Sequence, residues 1–215
     1  ETVYGLGARA DDPAAVAAIF AAKGRPADHP LIVHVTDAAA AEAFSDAIGP
    51  HARALMQRFW PGALTVIVPR RAGVAEAAAG GQASIGLRSP SHPVAVELLR
   101  RAHALGVPGV AAPSANRFGR VSPTTAEHVR QEFGDTLPVL DGGACPVGIE
   151  SSIVDCTRDD RPALLRPGMI DGDAIEAVLG RALAARDAAT PRASGTLEQH
   201  YAPRAAVELF TPPAL

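Results

Sequence analysis

The chain has 215 residues, 47% of them hydrophobic and 20% charged, with a formal net charge of −3; this is ordinary globular composition, and its acidic balance argues against a general nucleic-acid binder, whose domain is usually basic. No run of 18 apolar residues occurs, so no helical membrane span is expected. The only cysteines, Cys145 and Cys156, form no CxxC pair, which argues against a zinc or disulfide framework and suits a reducing cytoplasm. The start, Glu1-Thr2-Val3-Tyr4, lacks the basic-then-apolar pattern of a signal peptide, and the absence of an initiator Met suggests residues upstream.

Short β-like runs alternate with helical runs, which predicts an α/β fold. Asp12-Pro13 reads as an N-cap followed by Pro at the first helical position; Val16, Ile19 and Phe20 follow at helical spacing, and Gly24 supplies the stop. Leu31 to Val35 reads as a strand, with Leu31, Val33 and Val35 on one face and Ile32 and His34 on the other. Thr36-Asp37 is expected to cap a helix reaching about Ile48. A second helical run, Ala52 to Trp60, is closed by Pro61-Gly62, and Leu64 to Val68 is an apolar central strand. Ser84 to Arg88 is the next strand, with Ser84, Gly86 and Arg88 on one face and Ile85 and Leu87 on the other.

A helix over Pro93 to Ala104 stops at Gly106, and Val110 to Ala112 leads into the loop Pro113–Arg117. Ser122-Pro123 is expected to open a helix ending at Phe133-Gly134. Short strands are expected at Pro138–Leu140, Ser152–Asp155 and Ala163–Leu165. Asp171 caps a last helix carrying Ile175, Val178, Leu179 and Leu183. Residues 187–199 read as a linker and Val207–Phe210 as an isolated strand. The chain thus divides into a body, residues 1–186, and a tail, residues 187–215, that could fold over the site.

Several clusters suit chemistry. Lys23-Gly24-Arg25-Pro26 sets two cations around a glycine where the chain must turn, offering a compact charge and a planar fork to a phosphate; favourable charge at a helix C-terminus explains the pair as well. All but one of the 20 basic residues are arginine, the exception being Lys23, and Asn116 is the sole asparagine. Under a bias that converts Lys to Arg, such survivors point either to chemistry or to chance. His34 sits in an apolar strand, either as a bonded core residue or facing a small polar ligand. Arg88, beside Ser84 and Gly86, leaves room for a carboxylate or phosphate, or reaches solvent from an edge. Ser114, Asn116 and Ser122 place short polar groups between a strand end and a helix start, which suits a nucleotide, though a plain N-cap at Ser122 accounts for much of it. Glu150-Ser151-Ser152 and Arg166-Pro167-Gly168 are turns abutting strands. No GxxxxGK[ST] motif, metal-ligand spacing or Ser–His–Asp assembly is evident.

Taken in order, the stretches Glu1–Gly7, Ala22–Pro26, Pro30–Val35, Trp60–Gly62, Ala112–Asn116, Ser122–Thr124, Gly148–Ser152 and Leu165–Gly168 resemble the YrdC family of threonylcarbamoyl-AMP synthases, from Glu1 to about Arg204. The resemblance implies a twisted mixed sheet flanked by helices around a large concave pocket. It implies the reaction of ATP, bicarbonate and L-threonine to threonylcarbamoyl-AMP and pyrophosphate, feeding N6-threonylcarbamoyladenosine on tRNA through a separate downstream threonylcarbamoyl transferase. By resemblance, Lys23 and Arg25 are the catalytic pair. Thr2, His34, Arg88, Ala112, Ser151 and Ser152 face threonine. Lys23, Arg25, His29, Ser84, Ser114, Asn116, Ser122, Arg166 and Tyr201 face ATP. Mg²⁺ is held mainly by the phosphates, with no protein metal site. The family usually carries Asn in place of His29, Ser in place of Phe118, and a Pro-Thr pair before Glu1. Gly195 to Arg204 resembles the linker of its longer, two-domain branch, whose C-terminal domain is expected to be lacking here.

Three other readings stand beside this one. A concave surface of this kind could bind double-stranded RNA weakly, against the net charge of −3. A carbamoyl-transfer domain like those of hydrogenase-maturation proteins shares the fold but travels with zinc-finger cysteines that this chain lacks. A non-catalytic regulatory domain is the third.

Overall fold

The computed structural model of the protein describes residues 1–195. Strands β1 (Ala8–Arg9), β2 (Ile32–His34), β3 (Leu64–Pro69), β4 (Ser84–Arg88), β5 (Val110–Ala111), β6 (Ser152–Asp155) and β7 (Ala163–Arg166) form one sheet in the order β1-β5-β2-β4-β3-β6-β7. Pairing is parallel for β2/β4 and β3/β6 and antiparallel elsewhere. The helices are α1 (Pro13–Lys23), α2 (Ala38–Ala41), α3 (Pro50–Phe59), α4 (Pro93–Ala104), α5 (Ala126–Phe133) and α6 (Gly172–Leu179).

Period-two patterning sorts the sheet's residues into two faces. Leu31, Val33 and Val35, Leu64, Val66 and Val68, Ile85 and Leu87, and Val154 join the main core with residues of α1, α3 and α6. Ile32, Thr65, Ile67, Ser84, Gly86 and Ile153 line a recess on the opposite face. That sheet face carries the polar groups.

Local chemistry aims α1 at this face. Asp12 caps the helix, its carboxylate accepting from Ala14 N at 2.9 Å and Ala15 N at 3.2 Å. Gly24 ends it at φ 62°, in the left-handed region that glycine enters without steric cost. Lys23 therefore occupies the last turn and Arg25 follows at once.

Four expectations about elements need correction. The helix capped by Asp37 stops at Ala41; three tightened bonds, ending with Phe44 N to Ala41 O at 3.0 Å, swing Phe44 into the core instead. The helix expected from Ser122 starts at Ala126, capped by Thr125, because residues 123 and 124 are drawn into other bonds: Tyr4 N to Pro123 O at 2.9 Å and Cys145 N to Thr124 O at 2.8 Å. Pro138–Leu140 forms no strand. The last helix ends at Gly180, so Leu183 packs from beyond it, its N–H held by the Glu176 carboxylate at 2.8 Å. β1 is a strand the sequence pattern did not suggest. Val207–Phe210 lies outside the described residues.

Leu87 is fully buried in the core face of β4. Leu87→Ala is expected to cost about 2–5 kcal/mol of unfolding free energy in chemical denaturation. Leu105→Ala, at a position 84% exposed, is expected to change it by less than about 0.5 kcal/mol.

Candidate active site on the polar face of the sheet

At one end of this face lies a cleft of about 440 Å³ whose wall includes Thr2, His34, Arg88, Ala112 and Ser114. Arg88 is buried, at 5% exposure, and its guanidinium is held on three sides. Nε donates to Gly62 O at 2.9 Å, Nη1 to Thr2 Oγ1 at 2.9 Å, and Nη2 to the Glu1 carboxylate. The turn after Trp60-Pro61 and the N-terminal segment thus aim this arginine. Burial opposes ionisation of Glu1, but the Arg88 guanidinium bonded to it outweighs this and holds the carboxyl below its usual range.

His34 is half-buried on the same wall, and its Nδ1 has no hydrogen-bond partner among the described residues. Burial first, and the Arg88 cation second, push it down to about 3, so the ring is neutral at physiological pH.

A second group of cations adjoins the recess. Lys23 is 3% exposed and Arg25 9%. Lys23 Nζ donates to Ser114 O and Asn116 O, both at 2.5 Å. Burial, then the neighbouring Arg25, push it down to about 7. Arg25 Nη2 donates to Pro30 O at 2.9 Å and to Ser194 Oγ at 3.4 Å. Burial, then Arg166, push Arg25 down to about 10. Arg166 donates to Ser151 O from Nε at 3.0 Å and Nη2 at 2.9 Å, and to Ser194 O from Nη1 at 3.1 Å. Asn116 donates to the carbonyls of Arg117 and Arg120, while its Oδ1 is buried with no partner among the described residues. His29 meets the Phe118 ring edge-on at 5.5 Å.

The structure brings most of the sequence candidates together. Thr2, His34, Arg88, Ala112 and Ser114 share the cleft, while Ser84 lines the recess and Ser151 joins its floor through Thr65. Ser122 is not among the residues lining the cleft or the recess; its hydroxyl donates to Glu150 and does not cap a helix. Ser152 is a correction. Its partner in the parallel β3/β6 register is Leu64, on the core face, and its hydroxyl donates to Ile170 O at 2.5 Å and accepts from Ile170 N at 3.1 Å. That hydroxyl secures a turn; it does not line the site. Gly168 permits the turn to press in, since a Cβ there would sit 2.5 Å from Glu150 O and Ser152 N. Tyr201 lies outside the described residues.

Three site residues were missed. Thr65 is fully buried and shares a 2.8 Å bond with Ser151 Oγ; its hydroxyl at an alternating position of an apolar strand was a legible sign. Glu1, the partner of Arg88, sat within a recognised motif. Ser194, between Arg25 and Arg166, gave no sign in the sequence, because it reaches the recess only through the fold of residues 187–195.

Buried cations, small hydroxyls and strand-end carbonyls thus meet around one face of an α/β sheet. Residues 1–168 match the Sua5/YciO/YrdC family model, described as telomere recombination, and the chain belongs to that family. Residues 170–215 match the C-terminal domain of threonylcarbamoyl-AMP synthase, so the expectation that this domain is lacking is corrected. The threonylcarbamoyl-AMP synthase of Bacillus subtilis is 43% identical over 95% of this chain and 60% of its own length. The structure of Pyrococcus abyssi Sua5 complexed with L-threonine superposes with a TM-score of 0.86 at 40% identity, over 94% of this chain and 60% of that one. Escherichia coli YciO, at 23% identity and a TM-score of 0.69, shares the fold. The chain spans about 60% of the length of the curated relatives it matches first.

Folded His34 binds a proton only near pH 3, whereas an unfolded histidine binds one near 6.5. The unfolded chain therefore holds more protons across that window. Stability should fall as pH drops from about 6.5 towards 3, by at most about 1.4 kcal/mol per pH unit from this group. His34→Gln is expected to remove that increment, so denaturation at neutral and acidic pH should show the wild type losing more than the variant. Equal losses would clear His34 of the effect.

Proposed function

We propose that the chain joins ATP, bicarbonate and L-threonine into threonylcarbamoyl-AMP and pyrophosphate, the activation step of N6-threonylcarbamoyladenosine formation on tRNA. The observation that carries this reading is the meeting, on one sheet face, of the Arg88–Thr2–His34 wall with the Lys23–Arg25–Arg166 group. Relatives that bear the synthase name, and a related structure holding L-threonine, support it.

In this reading the amine of threonine adds to bicarbonate, releasing water and giving a carbamate. A carbamate oxygen then attacks the α-phosphorus, and pyrophosphate leaves with the electrons of the broken P–O bond. Negative charge gathers on phosphate oxygens throughout, so positioning and electrostatic clamping dominate, and no side-chain nucleophile is needed. Arg88 receives the threonine carboxylate, Thr2 and His34 address its polar groups, and Ala112 and Ser151 complete that side. Arg25, Arg166, His29, Ser84, Ser114, Asn116 and Ser122 serve ATP, with Lys23 beside them and Tyr201 as a further contact. The cationic and hydroxyl donor set does not fit a resident divalent ion, and no group of three or more His, Cys, Asp or Glu side chains converges among the described residues. Mg²⁺ would arrive on the triphosphate and keep most of its waters.

A separate transferase consumes the product. The net charge of −3 does not favour RNA binding. Among the described residues no helix is long and apolar enough to cross a membrane. Cys145 and Cys156 are free thiols, which fits the proposed cytoplasmic setting.

Pyrophosphate release is expected to require ATP, bicarbonate and threonine together; release that persists without threonine would refute the reading. Arg88→Ala is expected to weaken threonine by about 10–100-fold, the worth of a charged hydrogen bond of roughly 1.5–3 kcal/mol. Titration of L-threonine into both proteins checks this, and unchanged affinity would remove Arg88 from the threonine site.

A further inference from the structure

Lys23 and Arg25 read from sequence as one phosphate clamp, but their surroundings separate them. Lys23 Nζ donates to two carbonyl oxygens, those of Ser114 and Asn116, each at 2.5 Å. The Lys23 carbonyl in turn accepts Phe118 N–H at 2.9 Å. The end of α1 thus grips the 114–118 loop at three points. The N-terminal segment ties the same loop from another side, with Ala115 N donating to Tyr4 O and Leu6 N to Pro113 O, each at 2.8 Å. Asn116 closes the loop by donating to Arg117 O and Arg120 O, both at 2.8 Å. The loop so held presents Ser114 to the cleft and keeps Asn116 Oδ1 buried, without a partner among the described residues.

An ammonium has three N–H donors. Two are committed here to short charge-assisted bonds in a site that is 3% exposed, where such bonds are at their strongest. Removing them would leave two carbonyls without donors. Arg25 is placed differently: its Nε has no partner among the described residues, and its fork reaches Pro30 O and Ser194 Oγ, not this loop. Even when Lys23 loses its proton, near pH 7, the neutral amine keeps two N–H groups, enough for both carbonyls.

We propose that Lys23 is a positioning residue, which holds the Ser114–Asn116 loop through its backbone carbonyls in the shape that presents Ser114 and Asn116 to the nucleotide, and that of the pair Arg25 alone meets the outer phosphates. This rests on reading the face as a nucleotide site. A direct phosphate clamp and a loop strut differ in what they respond to. The clamp responds to the number of phosphates on the ligand, the strut to the state of the loop.

The test is calorimetric titration of ATP, and separately of AMP, into the full chain without threonine or bicarbonate. Lys23→Met is expected to weaken ATP and AMP by the same factor, within about twofold. Lys23→Gln, which restores two neutral donors, should recover most of that loss. Arg25→Ala should weaken ATP about tenfold or more beyond AMP. Lys23→Met combined with Asn116→Ala should be little weaker than the worse single variant, because both act on one loop. The proposal is overturned if Lys23→Met costs ATP about tenfold more than AMP, if Lys23→Gln is as weak as Lys23→Met, or if the Lys23 and Asn116 losses multiply. It is equally overturned if Lys23→Met lowers the unfolding midpoint and leaves nucleotide affinity intact, the mark of a merely structural lysine. Should Lys23→Met fail to fold, Lys23→Gln carries the ATP-to-AMP comparison. A wild-type chain that binds neither nucleotide would instead sink the functional reading itself, and this inference with it.

Discussion

A cation taken out of water costs several kcal/mol unless something else solvates it. Among its described residues this chain buries four, Lys23, Arg25, Arg88 and Arg166, around one face of its sheet. Their partners are mostly backbone carbonyls: those of Ser114 and Asn116, Pro30, Gly62 and Ser151. These carbonyls belong to turns and strand ends, where the ladder leaves acceptors unused. The arrangement solves two problems at once. Irregular backbone gains donors it would otherwise lack, and the cations gain acceptors in place of the water they lose. The other sheet face carries the conventional apolar core, which leaves this face available for charge.

How much of this was legible follows from how local each feature is. Caps and stops at Asp12, Gly24 and Asp171 are short-range chemistry, and they stand as read, as does the division of Ser84–Arg88 into a polar and an apolar face. Hydroxyl directions are not local. Ser122 looked like an N-cap because Ser-Pro before a helix usually is one, yet Glu150, 28 residues away in sequence, accepts its hydrogen bond. Ser152 was grouped with Ser151, although neighbours on a strand point to opposite faces; the alternation held the answer and the resemblance obscured it. β1, two residues long, exists through its pairing with β5 and has no pattern of its own to find.

The two departures from the resembled family, His29 and Phe118, prove to be neighbours, in edge-on contact. Where the family usually has a polar pair, this chain has a mainly apolar contact beside the buried cations. Burial, then Arg25, lower the proton affinity of His29, so the ring leans towards its neutral form, which suits packing against phenylalanine. The exchange is therefore coherent. The two rings pack edge-on and add no further charge to a crowded positive region.

Arg88 shows what a buried guanidinium can still do once it is held. Of five N–H donors, three are accounted for by Gly62 O, Thr2 Oγ1 and Glu1. Two remain on the terminal nitrogens, enough for a carboxylate. The Glu1 carboxylate, however, already neutralises much of the charge that would attract one. Under the proposed function the pair trades long-range attraction for a fixed direction: a threonine carboxylate gains little from net charge and much from donors already aligned. Discrimination among amino acids must then come from the remaining wall, where neutral His34 and the Thr2 hydroxyl can tell a side chain with a hydroxyl from one without. A site that hydrogen-bonds a hydroxyl rejects its absence far more strongly than an apolar pocket rejects its presence. Under the proposed function the neutrality that burial and Arg88 impose on His34 contributes to selectivity, because only an unprotonated ring nitrogen can accept a hydrogen bond from that hydroxyl.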